Sequence, residues 1–110
     1  DLITFCASFQ YFKNPKALLL KCSELLTKDG EIHIIDSPFY AEDAVEQARQ
    51  NSLSYYRTLQ TEAMTQYYKH NTYSILSPYP YEFLYKPVSF LPQFLRRKDS
   101  PFPWIRIKPN

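Results

Sequence analysis

The fold is decided by the stretch DLITFCASFQYFKNPKALLLKCSELLTKDGEIHIID, which is residues 1–36. Its run Leu2–Cys6 is apolar and β-branched, which is typical of a strand buried on both faces in a parallel sheet. Residues 31–36 predict a second buried strand that ends in the acid Asp36. Between the two runs, apolar side chains recur every three or four residues, which predicts a helix over residues 15–27.

The ends of this helix carry recognisable signals. Asn14 is a favoured capping residue, and Pro15 suits the first helical position, where a missing N–H costs nothing. We expect Gly30 to close the helix in the left-handed conformation. Strand, helix and strand in this order predict a parallel βαβ unit, and therefore an α/β fold. Ligands of such sheets lie beyond the carboxyl ends of the strands, so residues 7–11 and 36–40 are the candidate functional loops.

The chain after residue 40 changes in composition, with tyrosines and then prolines becoming frequent. We expect one partial domain, in which the βαβ unit occupies residues 1–40, a helical segment 41–75 and a Pro/Tyr-rich tail 76–110. Residues 41–69 predict a helix with a break near Thr61, whose hydroxyl would cap a second helix. The tail predicts two short antiparallel strands, over residues 81–85 and 104–108.

Composition excludes several classes of protein. The single glycine excludes a Gly-rich phosphate loop within this chain. The net charge of +2 is too small for a nucleic-acid-binding surface, although the basic residues 96–98 would either touch an anionic group or form a solvated loop. The two cysteines and two histidines are not at metal-site spacings, and no apolar run predicts a membrane span. Because only two cysteines are present and there is no secretory signal, we expect a cytoplasmic protein. We also expect no metal site and no nucleic-acid partner, and, because the first residue is Asp1 rather than Met, a piece of a longer chain.

Five segments follow one another in a distinctive order: residues 1–12, Asn14-Pro15, Leu25-Leu26, Asp29-Gly30-Glu31 and residues 32–36. This order resembles the second half of class I S-adenosylmethionine-dependent methyltransferases. The resemblance covers about the first 40 residues. It implies the C-terminal half of a Rossmann-like sheet, from the fourth strand onward, followed by helices and an antiparallel strand pair. It also implies S-adenosylmethionine as cofactor, with the main cofactor-binding loop lying outside this chain.

The same resemblance implies roles for residues in the two loops. Four residues would contact the cofactor: Cys6, Ala7, Ser8 and Phe9. Three would contact the acceptor: Gln10, Tyr11 and Tyr40. Asp36 would serve catalysis by orienting the acceptor or taking its proton. The alternatives are that Phe9 and Tyr11 are core aromatics, that Gln10 is a loop amide, and that Asp36 caps the turn before Pro38.

The remaining aromatic residues leave similar alternatives. Five tyrosines form either an aromatic wall over a substrate or packing at the core and its rim: Tyr40, Tyr55, Tyr56, Tyr67 and Tyr68. We expect His33 to be a core histidine with satisfied hydrogen bonds. His70 is a candidate base, or a charge near a helix end.

Two functions from different classes fit these observations. The first is transfer of a methyl group to an unidentified small-molecule acceptor by the full-length protein. In that case we expect this chain alone to be inactive. The second is a non-catalytic, methyltransferase-like interaction module. In either case the bare edge of strand 2–6 predicts either a twofold dimer or a chain that exists only together with its missing half, because an apolar edge strand pairs readily with another chain.

Overall fold

The structure is a computed structural model that describes residues 1–87 and 101–110. The first strand, β1 (Leu2–Cys6), leads through a 3-10 turn at Phe9–Tyr11 into helix α1 (Pro15–Leu25). Strand β2 (Glu31–Ile35) follows and pairs in parallel with β1, with Ile3 opposite Ile32 and Phe5 opposite Ile34. The βαβ unit expected from residues 1–36 is thereby confirmed, and the chain has an α/β fold.

Two further strands extend the sheet. They are β5 (Tyr81–Tyr85) and β6 (Trp104–Ile107), and they pair with each other in antiparallel orientation, as the tail predicted. The order in the sheet is β1-β2-β6-β5, with β6 antiparallel to β2. Two short strands, β3 (Phe39–Tyr40) and β4 (Asn71–Thr72), form a separate parallel pair.

The hydrophobic core lies on one face of the four-stranded sheet. Ile32 and Ile34 of β2 are buried there, and the antiparallel register sets Ile107 and Ile105 of β6 beside them. Helix α1 covers this face through Leu19 and Cys22. The other face carries the alternate residues of each strand, of which Leu2, Thr4 and Cys6 on β1 are exposed.

The prediction that β1 is buried on both faces is therefore wrong for the described chain. Leu2 is 64% exposed, and only Phe5 of this strand is buried. The physical reason is that α1 packs on one side of the sheet only. In addition, β1 is the outermost strand of the sheet, so one of its hydrogen-bonding edges has no neighbouring strand among the described residues.

The cap of α1 is as predicted, but its C-terminal end is not. The Asn14 Oδ1 accepts a hydrogen bond from the Ala17 N–H at 3.1 Å, and Pro15 occupies the first turn. The helix ends at Leu25 because Leu26 is extended, and Gly30 has no positive φ. Glycine is needed at residue 30 for space, since a Cβ there would lie 2.8 Å from Cδ2 of Leu26.

Helix α2 (Val45–Thr58) ends close to the predicted break, by a different device. Gln60 adopts a φ of 56°, its N–H donates to the Arg57 carbonyl, and the Thr61 N–H donates to the Tyr56 carbonyl. This is a Schellman ending with glutamine in the place that glycine usually takes. The Thr61 hydroxyl donates back to the Tyr56 carbonyl and does not cap the following 3-10 helix, Glu62–Gln66.

No helix within residues 1–87 and 101–110 is long and apolar enough to cross a membrane.

Candidate functional site

Both loops at the carboxyl ends of the parallel strands begin with a strained backbone. Ala7 has a φ of 52° and Asp36 a φ of 55°, and each directly follows its strand. The left-handed conformation costs a residue with a Cβ about 1–2 kcal/mol. The Ala7 N–H nevertheless donates to the Ile35 carbonyl at 2.9 Å, so Ala7 still forms a backbone hydrogen bond to the end of β2. Such strained residues concentrate at functional sites, and each of these two loops begins with one.

A buried hydrogen bond joins the two loops. The Ser37 hydroxyl donates to Oε1 of Gln10 at 2.8 Å, and both side chains are buried. The Gln10 Nε2 donates to the Ala7 carbonyl at 3.4 Å. Gln10 therefore fixes the loop after β1 to the loop after β2, a function closer to the loop-amide alternative than to contact with an acceptor.

Replacing Gln10 with leucine is expected to lower the free energy of unfolding by about 1–3 kcal/mol, because the Ser37 hydroxyl would be left buried without an acceptor. Urea denaturation measures this effect. Combining the change with Ser37→Ala removes the unpaired hydroxyl, so the double variant should recover part of the loss. If Gln10→Leu has the same urea midpoint of unfolding as the wild-type chain, the bond does not hold the loops together.

Phe9 lies in the core rather than at a surface. Its ring is fully buried, stacks on Phe39 with ring centres 5.8 Å apart, and forms a T-shaped contact with Phe5, with ring centres 5.4 Å apart. This arrangement favours the packing alternative for Phe9. Tyr11, the other aromatic of the 3-10 turn, is 49% exposed.

Four residues that the sequence singled out present atoms to solvent at this edge. Cys6 and Ala7 are exposed and Ser8 is half-buried, so the end of β1 offers a surface of small side chains. Asp36 is exposed, and no side-chain hydrogen bond of Asp36 is formed with residues 1–87 or 101–110. Within that part of the chain, the Asp36 carboxylate does not cap the turn before Pro38.

The segment of residues 68–71 is attached to both loops. The Lys69 N–H donates to the Gln10 carbonyl at 2.8 Å. Asn71 in β4 lies opposite Phe39 in β3, and Thr72 opposite Tyr40. Sequence reasoning did not place residues 68–71 beside the loops, because the contact depends on a pairing of only two residues per strand.

Aromatic side chains gather where this segment meets the loops. The Tyr68 ring lies 5.8 Å from Tyr11 and 5.0 Å from His70, and Tyr40 lies 5.6 Å from His70. Burial, assisted by neighbouring tyrosines, raises the pKa of Tyr68 to about 12, and burial also raises the pKa of Tyr40. Tyr55 and Tyr67 are more than half exposed, and the Tyr55 ring contacts that of Tyr56, with ring centres 5.5 Å apart.

A cleft of about 600 Å³ opens between α2 and residues 68–71. Its lining includes three basic residues from separate parts of the chain, Lys13, Arg49 and Lys69, together with Glu46 and Asn71. No sequence motif indicated this cleft. The basic residues 96–98 that the sequence did single out lie outside the described residues.

The two histidines have different environments. His70 lines the cleft, where its Nε2 lies 2.7 Å from the Ser52 hydroxyl. Burial lowers the pKa of His70, and the nearby Arg49 cation lowers it further, which favours the neutral ring at pH 7. His33 has both ring nitrogens engaged: Nδ1 accepts from the Trp104 indole at 2.8 Å, and Nε2 lies 2.9 Å from Glu31. It is satisfied as expected, but it lies half-buried on the open face of the sheet rather than in the core.

Among residues 1–87 and 101–110, no three His, Cys, Asp or Glu side chains are grouped as metal ligands.

Comparison with known proteins gives one short match. Over 30 residues the chain is 53% identical to a malonyl-[acyl-carrier protein] O-methyltransferase of Bacteroides helcogenes. The match covers 27% of this chain and 11% of that protein. No protein-family model matches the chain, and no solved structure matches it at a significant level. Over this short stretch, the chain is therefore similar to an enzyme that transfers a methyl group.

Proposed function

We propose that this chain supplies the carboxyl-edge part of the site of an S-adenosylmethionine-dependent methyltransferase. The observation that carries the proposal is the pair of strained loops at the ends of parallel strands, joined by the buried bond between Gln10 and Ser37. The 30-residue similarity to a methyltransferase supports the same reaction class. Methyl transfer needs chiefly that the acceptor and the methyl group be held in line, and a rigid pair of loops suits this requirement.

The residues at the end of β1 fit the methionine portion of the cofactor. Cys6, Ala7 and Ser8 have small side chains, and the first two are exposed, so a ligand can approach their backbone closely. When bound, S-adenosylmethionine supplies the activated methyl group. The single glycine of this chain lies against Leu26 after α1, so the remaining cofactor contacts would come from residues outside the chain.

The acceptor would lie on the side of the loops that faces residues 68–71. Asp36, exposed at the end of β2, is in our proposal the group that orients the acceptor or takes its proton. Tyr11 and Tyr40 would form the aromatic boundary of the acceptor site through their contacts with Tyr68 and His70. The related enzyme is named for a malonyl-acyl-carrier-protein acceptor, and an acyl acceptor of that kind is one candidate for this chain.

A second candidate function is a methyltransferase-like interaction module. It is favoured by the outer position of β1, whose Leu2 is 64% exposed, since such an edge and face suit pairing with another chain.

Ala7→Trp tests the first function, in the protein expressed from its complete reading frame. The indole would occupy the surface proposed for the methionine portion, so we expect the Kd for S-adenosylmethionine to rise about tenfold or more, equivalent to about 1.4 kcal/mol or more. Isothermal titration calorimetry gives this value directly. Ala7→Gly is the matched control, because it leaves the surface open and relieves the positive φ. Equal Kd values for the tryptophan and glycine variants would remove this loop from the cofactor site.

A further inference from the structure

We propose that the cleft between α2 and residues 68–71 binds a compact anionic group, a carboxylate or a phosphate. The inference deepens the proposed function and rests on it in one respect: the anionic group would belong to the methyl acceptor.

The charge of the lining favours an anion. Lys13, Arg49 and Lys69 contribute three cations, and Glu46 is the one acid in the lining, so the described walls carry a net charge of +2. Arg49 Nη1 lies 3.2 Å from the Glu46 carboxylate, and Lys69 Nζ donates to the Gln66 carbonyl at 2.9 Å. A guanidinium has five N–H donors and an ammonium has three, so each of these two side chains retains donors beyond the bond described.

A buried amide supplies a neutral donor. Asn71 is 6% exposed, it lines the cleft, and its Nδ2 has no acceptor among the described residues. A buried N–H group without an acceptor is costly, and most such groups in proteins are paired. A ligand oxygen seated in the cleft would provide the acceptor that Asn71 lacks.

The position of the cleft connects it with the strained loops. Lys69, which lines the cleft, is bonded through its N–H to the Gln10 carbonyl, and Lys13 follows the same 3-10 turn. His70 adds a neutral polar group beside the cations, because burial lowers its pKa. The volume of about 600 Å³ lies within the range of about 300–1,000 Å³ common for small-molecule sites. An anion bound here would hold an acceptor next to the end of β1.

The test is titration of the 110-residue chain with malonate and, separately, with inorganic phosphate, with NMR as the readout. All the lining residues lie within this chain. We expect saturable shifts of the Asn71 side-chain amide and of the Lys13 and Lys69 backbone amides with at least one anion, and none with neutral malonamide. The anion that saturates at the lower concentration identifies the group as a carboxylate or a phosphate.

Arg49→Gln should weaken the binding of that anion about tenfold, because it removes a charge-assisted donor. Arg57→Gln is the matched control: Arg57 lies on the same helix and outside the cleft, where it faces Glu62 at 3.5 Å. If circular dichroism shows that Arg49→Gln is unfolded, Lys69→Gln is used as the cleft variant in its place. The inference is overturned if neither anion saturates at about 10 mM, or if the cleft variant and the Arg57 control bind alike. Either result would leave cofactor binding at Ala7, which is measured separately, unaffected.

Discussion

Replacing Phe9 with alanine is expected to lower the free energy of unfolding by about 3–5 kcal/mol, the usual cost of deleting a buried aromatic ring. Phe9 is fully buried and contacts both Phe5 and Phe39, so its loss would open a cavity between the end of β1 and the start of β3. Urea denaturation, monitored by circular dichroism, measures this loss of unfolding free energy.

Phe12→Ala is the matched control for this experiment. The Phe12 ring also forms a T-shaped contact with Phe5, with ring centres 5.4 Å apart, but Phe12 is 38% exposed, so its removal should cost clearly less. A loss from Phe9→Ala no larger than that from Phe12→Ala would mean that Phe9 is not a core residue. In that case direct contact with the cofactor, the other role considered for Phe9, would again be the better interpretation.

The 110-residue chain is expected to self-associate as a twofold dimer through β1. Among residues 1–87 and 101–110, this strand is the outermost strand of the sheet, and its exposed residues Leu2, Thr4 and Cys6 are uncharged. Unpaired backbone groups on such an edge readily pair with a second strand. Size-exclusion chromatography with light scattering should give about twice the monomer mass of 13.1 kDa.

Thr4→Lys tests whether this edge forms the interface. In a twofold antiparallel pair centred on residue 4, the two lysines would face each other, and directly opposed like charges destabilise strand pairing. The variant should therefore be a monomer, whereas Thr58→Lys, an exposed change at the end of α2, should remain a dimer. A monomeric wild-type chain at high concentration would contradict the proposed pairing, and so would a dimeric Thr4→Lys variant.

The βαβ unit could be predicted from the sequence because local signals determine it. Asn14 and Pro15 begin α1 as expected, and the apolar runs on either side form the parallel strands β1 and β2. Burial was harder to predict, because an apolar run such as Leu2–Cys6 does not show how many faces of its sheet are covered. The end of α1 was also mispredicted, since the same glycine suits either a left-handed turn or the close approach of Leu26.

The candidate site could be predicted only in part. The rule that ligands lie beyond parallel strands selected the loops that contain Ala7 and Asp36, and both residues are strained there. The cleft could not be predicted, because Lys13, Arg49 and Asn71 are far apart in sequence. They are brought together by the short β3–β4 pairing and by single backbone hydrogen bonds such as that from Lys69 to Gln10.

Ultraviolet cross-linking of methyl-labelled S-adenosylmethionine to the protein expressed from its complete reading frame shows whether the loop after β1 contacts the cofactor. Mass spectrometry of the tryptic digest would locate the label, and an excess of unlabelled S-adenosylhomocysteine would identify specific labelling. We expect specific label in the peptide that ends at Lys13, within residues 6–11. Specific labelling confined to peptides outside residues 1–13, or no specific labelling of a folded protein, would contradict it.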